Sequence, residues 1–144
     1  MSKLYNLFSS YVRTGYNFIM KVIIDLIEDI RTAINNDKSF TLGAMGLKEQ
    51  TNGEFLPSWQ SDISRIKLDE KEKKIFLFLG KGEALSVGSF LETLNALPNE
   101  AMMYEVCLSY TKEKERVDSS LMGFGESFND KKYLLFIADI NSSQ

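Results

Sequence analysis

The sequence predicts an α+β fold: a mainly antiparallel sheet of about five strands, with two N-terminal helices and one central helix on one face. Three observations carry this expectation. The segments Ile75–Leu79 and Tyr133–Ala138 are apolar almost throughout. Successive side chains on a strand point to opposite faces, so each segment needs cover on both sides and belongs near a sheet centre. Three other stretches space their apolar residues by three and four, the mark of a helix with one buried face. The polar runs between the strand segments are short, as hairpins require.

The first helix is expected over residues 3–17, where Leu4, Leu7, Phe8, Tyr11 and Val12 form a stripe. Residues 1–19 read either as this packed helix or as a peripheral extension of the domain. The second pattern begins at Met20 and runs through Ile23, Leu26, Ile27, Ile30 and Ile34, with Asp25, Glu28, Asp29 and Arg31 mainly on the other side. Asn35-Asn36-Asp37 competes for backbone hydrogen bonds and ends it. Residues 39–47 contain Gly43 and Gly46, which argue against a helix and suit a loop or a bulged edge strand. Asn52-Gly53 is a turn dipeptide able to join two short strands, the second ending near Trp59 with Pro57 at its edge.

A hairpin is expected next, with strands 63–68 and 74–79 around the turn Asp69-Glu70-Lys71-Glu72. Ser86 is a candidate N-cap for a helix over 87–96 whose stripe is Val87, Phe90 or Leu91, Leu94 and Leu97, stopped by Pro98. Strands near 102–110, 120–125 and 133–138 complete the sheet, with Thr111–Arg116 and Asn129-Asp130 as polar turns. The segments Ile75–Leu79 and Tyr133–Ala138 should be neighbours or near-neighbours. No internal repeat and no linker is evident, so 144 residues suit a single domain.

Composition narrows the chemistry. The chain has no histidine, which removes imidazole triads and the commonest metal ligand, and its single cysteine, Cys107, can form no internal disulfide. A net charge of −3 argues against a broad nucleic-acid surface. The apolar stretch at 18–27 carries Lys21 and Asp25, so no membrane span is expected. A cytoplasmic location follows as the default.

Several residue sets have to be weighed. Gly80-Lys81-Gly82 lies between a strand and a helix, where Lys81 and nearby carboxylates could hold a phosphate or small molecule. Its spacing fits neither the phosphate-loop nor the dinucleotide pattern, so a flexible connector is the simpler reading. Asp25, Glu28 and Asp29 read as a solvated helix face, and Cys107 as a structural thiol. Lys71, Lys73 and Lys74 alternate with acids, and with Lys131 and Lys132 they would serve nucleic acid only if gathered on one face. Phe55, Trp59 and Tyr110 are the candidate partner-binding residues, because aromatic side chains anchor many interfaces.

The segment Leu85-Ser86-Val87-Gly88 through Leu97-Pro98, followed by a strand, resembles a pattern in small phage and mobile-element proteins. That resemblance covers about a third of the chain and implies a bacterial or phage accessory setting, with no activity attached. The function expected is therefore a non-enzymatic protein-interaction module with no cofactor and no metal, its partner another protein. A homo-oligomer is compatible with the sequence.

Overall fold

Strand pairing turns the expected open sheet into a tube. The computed structural model describes residues 22–35, 37–80, 82–127 and 131–138, without the side chains of Ala33 and Met122. The first helix expected from the sequence, with the question of whether residues 1–19 are peripheral, lies outside them. In order come α1 (Ile23–Ile34), β1 (Thr41–Glu49), β2 (Phe55–Asp69), β3 (Lys74–Leu79), α2 (Val87–Asn95), a 3₁₀ turn (Asn99–Met103), β4 (Glu105–Lys112), β5 (Glu115–Ser127) and β6 (Tyr133–Ala138). The six strands close into a mixed barrel in the order β1-β2-β3-β4-β5-β6. The pairs β1·β6 and β3·β4 are parallel, and the other four are antiparallel.

This corrects the mainly antiparallel five-strand α+β layout. Thr41–Glu49 is a full strand despite Gly43 and Gly46, and a single 15-residue β2 joins the short strand expected to end near Trp59 to the one expected over 63–68. The polar run at 111–116 is mostly strand, with its turn confined to Glu113 and Lys114 at φ 53° and 69°. β3 and β6 are not neighbours: each has a parallel partner on one side, and they face each other across the barrel. The helices do not lie on a sheet face either. Both start and finish at the end of the barrel where β1 and β4 begin.

Closure explains where each apolar face goes. Ile75 and Leu77 of β3 and Leu134 and Phe136 of β6 point inward and are fully buried, together with Leu42, Ile63, Val106 and Leu108. A barrel this small is filled by side chains. Ile23, Leu26, Ile27 and Ile30 of α1 and Val87, Phe90, Leu91 and Leu94 of α2 join the same core, so the helices stopper the tube. Rings of Phe90 and Phe124 pack edge-on against Phe136, with centroids 5.7 and 6.4 Å away. α1 ends at Asn35, which takes the left-handed conformation (φ 50°, ψ 45°) that a short amide side chain tolerates. Ser86 caps α2, its hydroxyl accepting from the Ser89 N–H at 3.1 Å.

The architecture is a structural repeat of helix–strand–strand–strand, which no repeat in the sequence announced. Strand lengths are 9, 15 and 6 residues in the first unit and 8, 13 and 6 in the second. Thr41 pairs with Tyr133 as Glu105 pairs with Lys74. The long strands β2 and β5 shift register at Ser64 and at Met122, where they pass from one sheet to the other, and β2 shifts once more at Ser58 against β1. Such bulges let a strand bend around a barrel corner. The helices are exchanged: Val22 bridges Glu105, while Ser86 bridges Thr41. Accordingly the Ile23 N–H donates to the Tyr104 carbonyl at 3.2 Å, and the Val87 N–H to the Phe40 carbonyl at 2.8 Å.

Candidate functional site

The outer face of β3 is where the charge of this chain meets its aromatic rings. Strand alternation turns Phe76 and Phe78 outward, opposite Ile75 and Leu77. Pairing sets Arg65 beside Phe78 and Lys67 beside Phe76 on β2, with Cys107 and Ser109 alongside on β4. One strand farther, Arg116 and Asp118 of β5 point the same way. Phe76 is 4% exposed and Phe78 is half-buried. Their cover is made of side chains rather than a helix. The Arg65 guanidinium carbon lies 4.3 Å from the Phe78 centroid, and that of Arg116 lies 4.7 Å from Phe76 and 5.4 Å from Phe78. Planar guanidinium groups stack on aromatic faces in this way.

At the end of β3 this face opens into a groove of about 510 Å³, lined among others by Arg65, Phe78, Leu79, Ser109, Tyr110 and Arg116. The Arg116 Nε–H is shared between the Ser109 hydroxyl at 3.0 Å and the Asp118 carboxylate at 2.9 Å. Arg65 is exposed and has no carboxylate partner among the described residues. The Tyr110 hydroxyl is buried without a hydrogen-bond partner among the described residues, and burial raises its pKa.

The structure separates the three aromatic residues read as a contact surface. Trp59 and Tyr110 meet, centroids 5.3 Å apart, at the barrel end away from the helices. Trp59 also lies on Gly46, where a Cβ would collide with the indole. Phe55 instead packs with Tyr133 against the outer-face cluster of Met45, Leu47, Leu135 and Ile137. Arg65 and Arg116 were not among the candidates. The hairpin register does place Arg65 beside Phe78, but Arg116 reaches the same ring only through the long-range parallel pairing of β3 with β4.

The remaining sets resolve as follows. Lys81 lies outside the described residues. Gly82 lines the groove, and Glu83 is exposed and away from its lining. Asp25, Glu28 and Asp29 are exposed, and no group of three or more potential metal ligands occurs among the described residues. Lys71 and Lys73 precede β3 and Lys74 opens it, while Lys131 and Lys132 precede β6 on the opposite side of the barrel, so they form no single basic face. Lys132 is held by Asp37 at 2.6 Å. That hydrogen bond, helped by the Ser39 hydroxyl and N–H, lowers the Asp37 pKa to about 2. Burial, reinforced by Glu105, pushes the Cys107 thiol up to about 12, which leaves it protonated and unreactive as a nucleophile. Burial and then the hydrogen bond to Asp62, at 2.9 Å, raise the Tyr133 phenol.

A second hollow of about 410 Å³ runs beside α1, lined by Ile24, Ile27, Glu28, Arg31, Asn95 and Met102 among others. No helix among the described residues is long and apolar enough to cross a membrane. No protein-family model, curated protein or solved structure matches the chain.

Proposed function

We propose that this chain is a non-enzymatic protein-interaction module that meets its partner at the groove closing β3, with the Trp59–Tyr110 pair behind it. The observation that supports this reading most is the pair of guanidinium groups stacked on exposed-side phenylalanines at the mouth of an open groove. Arginine and aromatic side chains are the residues that most often carry interface energy. The same face offers no imidazole, and the Cys107 thiol on it stays protonated. The resemblance at Leu85–Pro98 favours an accessory protein of a bacterial phage or mobile element, for which a cytoplasmic location is the default.

A small-molecule or phosphate ligand is the alternative, favoured by Gly82 in the groove lining. Partner capture from a host lysate distinguishes the two when wild type is run beside Arg65→Glu, a change at an exposed position. Proteins retained by wild type and lost by the variant, with an unchanged melting temperature, support the module. Retention unaffected by Arg65→Glu removes the groove as the contact face.

A further inference from the structure

The repeat supplies an internal control for the groove. Superposing the two units by their strand pairing sets Phe76 and Phe78 against Leu135 and Ile137, Ser109 against Met45, Thr111 against Leu47, and Arg65 against Gly123. In the second position the outer face is a closed apolar cluster, with Met45, Leu135 and Ile137 each no more than 2% exposed. The fold is therefore satisfied there by aliphatic packing alone. At the first position the cover over Phe76 and Phe78 is instead made by Arg65 and Arg116, which puts charge where aliphatic packing would also close the face.

From this asymmetry we infer that the groove binds an acidic side chain of a partner polypeptide, with Arg65 and Arg116 as its counter-charges. The inference rests on the interaction-module reading and names the partner's chemistry. Both guanidinium carbons lie over one ring, so they are no farther apart than the sum of 4.3 and 5.4 Å. Arg116 makes its two hydrogen bonds through Nε, and none among the described residues uses its Nη donors. Those donors are the ones that grip a carboxylate in a fork. Leu79 and Tyr110 add apolar surface beside the charges. That suits the methylene stem of a glutamate within a chain better than a bare phosphate.

The chain carries its own reporter. Trp59 is the sole tryptophan and packs tilted against Tyr110, a residue of the groove wall. The experiment titrates the full chain with acetylated hexaglutamate, hexaglutamine and inorganic phosphate, reading Trp59 emission and heat of binding. Saturable binding of hexaglutamate is expected, weakening as salt rises, with none for hexaglutamine. Arg65→Gln should weaken it about tenfold or more, and Lys71→Gln at the far hairpin tip should not. Circular dichroism and melting temperature establish that both variants are folded.

Absence of saturable hexaglutamate binding, or equal affinity in Arg65→Gln, overturns the inference. Phosphate binding as tightly as the peptide overturns it in favour of a small oxyanion. If lysate capture still depends on Arg65 while hexaglutamate fails, only the acidic ligand falls. If capture ignores Arg65, the module reading of this face falls instead.

Discussion

The two repeat units share a backbone plan and differ in what they leave open. In the first unit, β3 presents rings to arginine planes and a groove. In the second, β6 presents Leu135 and Ile137 to Met45 and Leu47 and is closed. Their inward faces match in character: Ile23, Leu26, Ile27 and Ile30 stand where Val87, Phe90, Leu91 and Leu94 stand in the other helix. The caps differ again, since Ser86 caps α2 with its hydroxyl while Val22 at the start of α1 makes no side-chain cap bond. The lesson is that the interior is set by the fold and is nearly the same twice. The exterior is free to vary, and it is there that departures from symmetry carry functional information.

The strongest way to break this comparison is to hollow the shared interior. Leu77 and Phe136 occupy equivalent, fully buried positions. Leu77→Ala should cost about 2–5 kcal/mol and Phe136→Ala about 3–5 kcal/mol, in urea titrations followed by Trp59 emission and far-ultraviolet circular dichroism. Because each helix docks on the opposite unit, the two probes should move together in both variants. Separate transitions would show that the units fold independently and the reciprocity is nominal.

A smaller effect tests the asymmetry at the open barrel end. Gly46 and Tyr110 are equivalent, and Trp59 lies on the glycine while packing tilted against the tyrosine. Gly46→Ala should displace the indole, cost about 1–3 kcal/mol through overpacking, and shift the tryptophan emission. Unchanged emission and stability would mean that Trp59 is not fixed there.

The smallest expected effect concerns an ion pair present at one of the two parallel seams and lacking at its equivalent. Asp37 and Lys132 tie the approaches to β1 and β6, and Ala101 and Lys73 fill the equivalent places. The Asp37 pKa falls from 3.8 to about 2 on folding, so the folded state favours the charged form. Its contribution is present above about pH 4 and is lost as pH drops through 2. Both groups are solvent-exposed, so Asp37→Asn should lower the melting temperature slightly at neutral pH, with the difference vanishing toward pH 2. A difference that grows with acid would contradict the pairing.

What the sequence made legible was local. The bounds of β3 and β6, the apolar stripes of α1 and α2, the Ser86 cap and the Asn52-Gly53 turn all depend on residues a few positions apart. What stayed hidden was long-range. Parallel pairing of β1 with β6 joins strands from opposite ends of the described chain, and no hairpin turn signals it. Gly43 and Gly46 lowered the strand propensity of β1, yet Gly46 is there to admit Trp59. The repeat escaped because the units share apolar character rather than residue identity. The groove escaped with it, since Arg116 joins Arg65 only once the tube is closed. Two doubly apolar strands implied a covering layer, and for β3 that layer is a pair of arginine stems and planes.

The seam between β1 and β6 also governs how the chain emerges during synthesis. Every ribosome-bound intermediate that ends before Tyr133 leaves β1 without its parallel partner, and α1 without its anchor until Glu105 has appeared. Contacts so distant in sequence form slowly. The tube therefore seals only after β6 has been made, and any truncation that removes β6 should yield an open, sticky sheet edge in the cell.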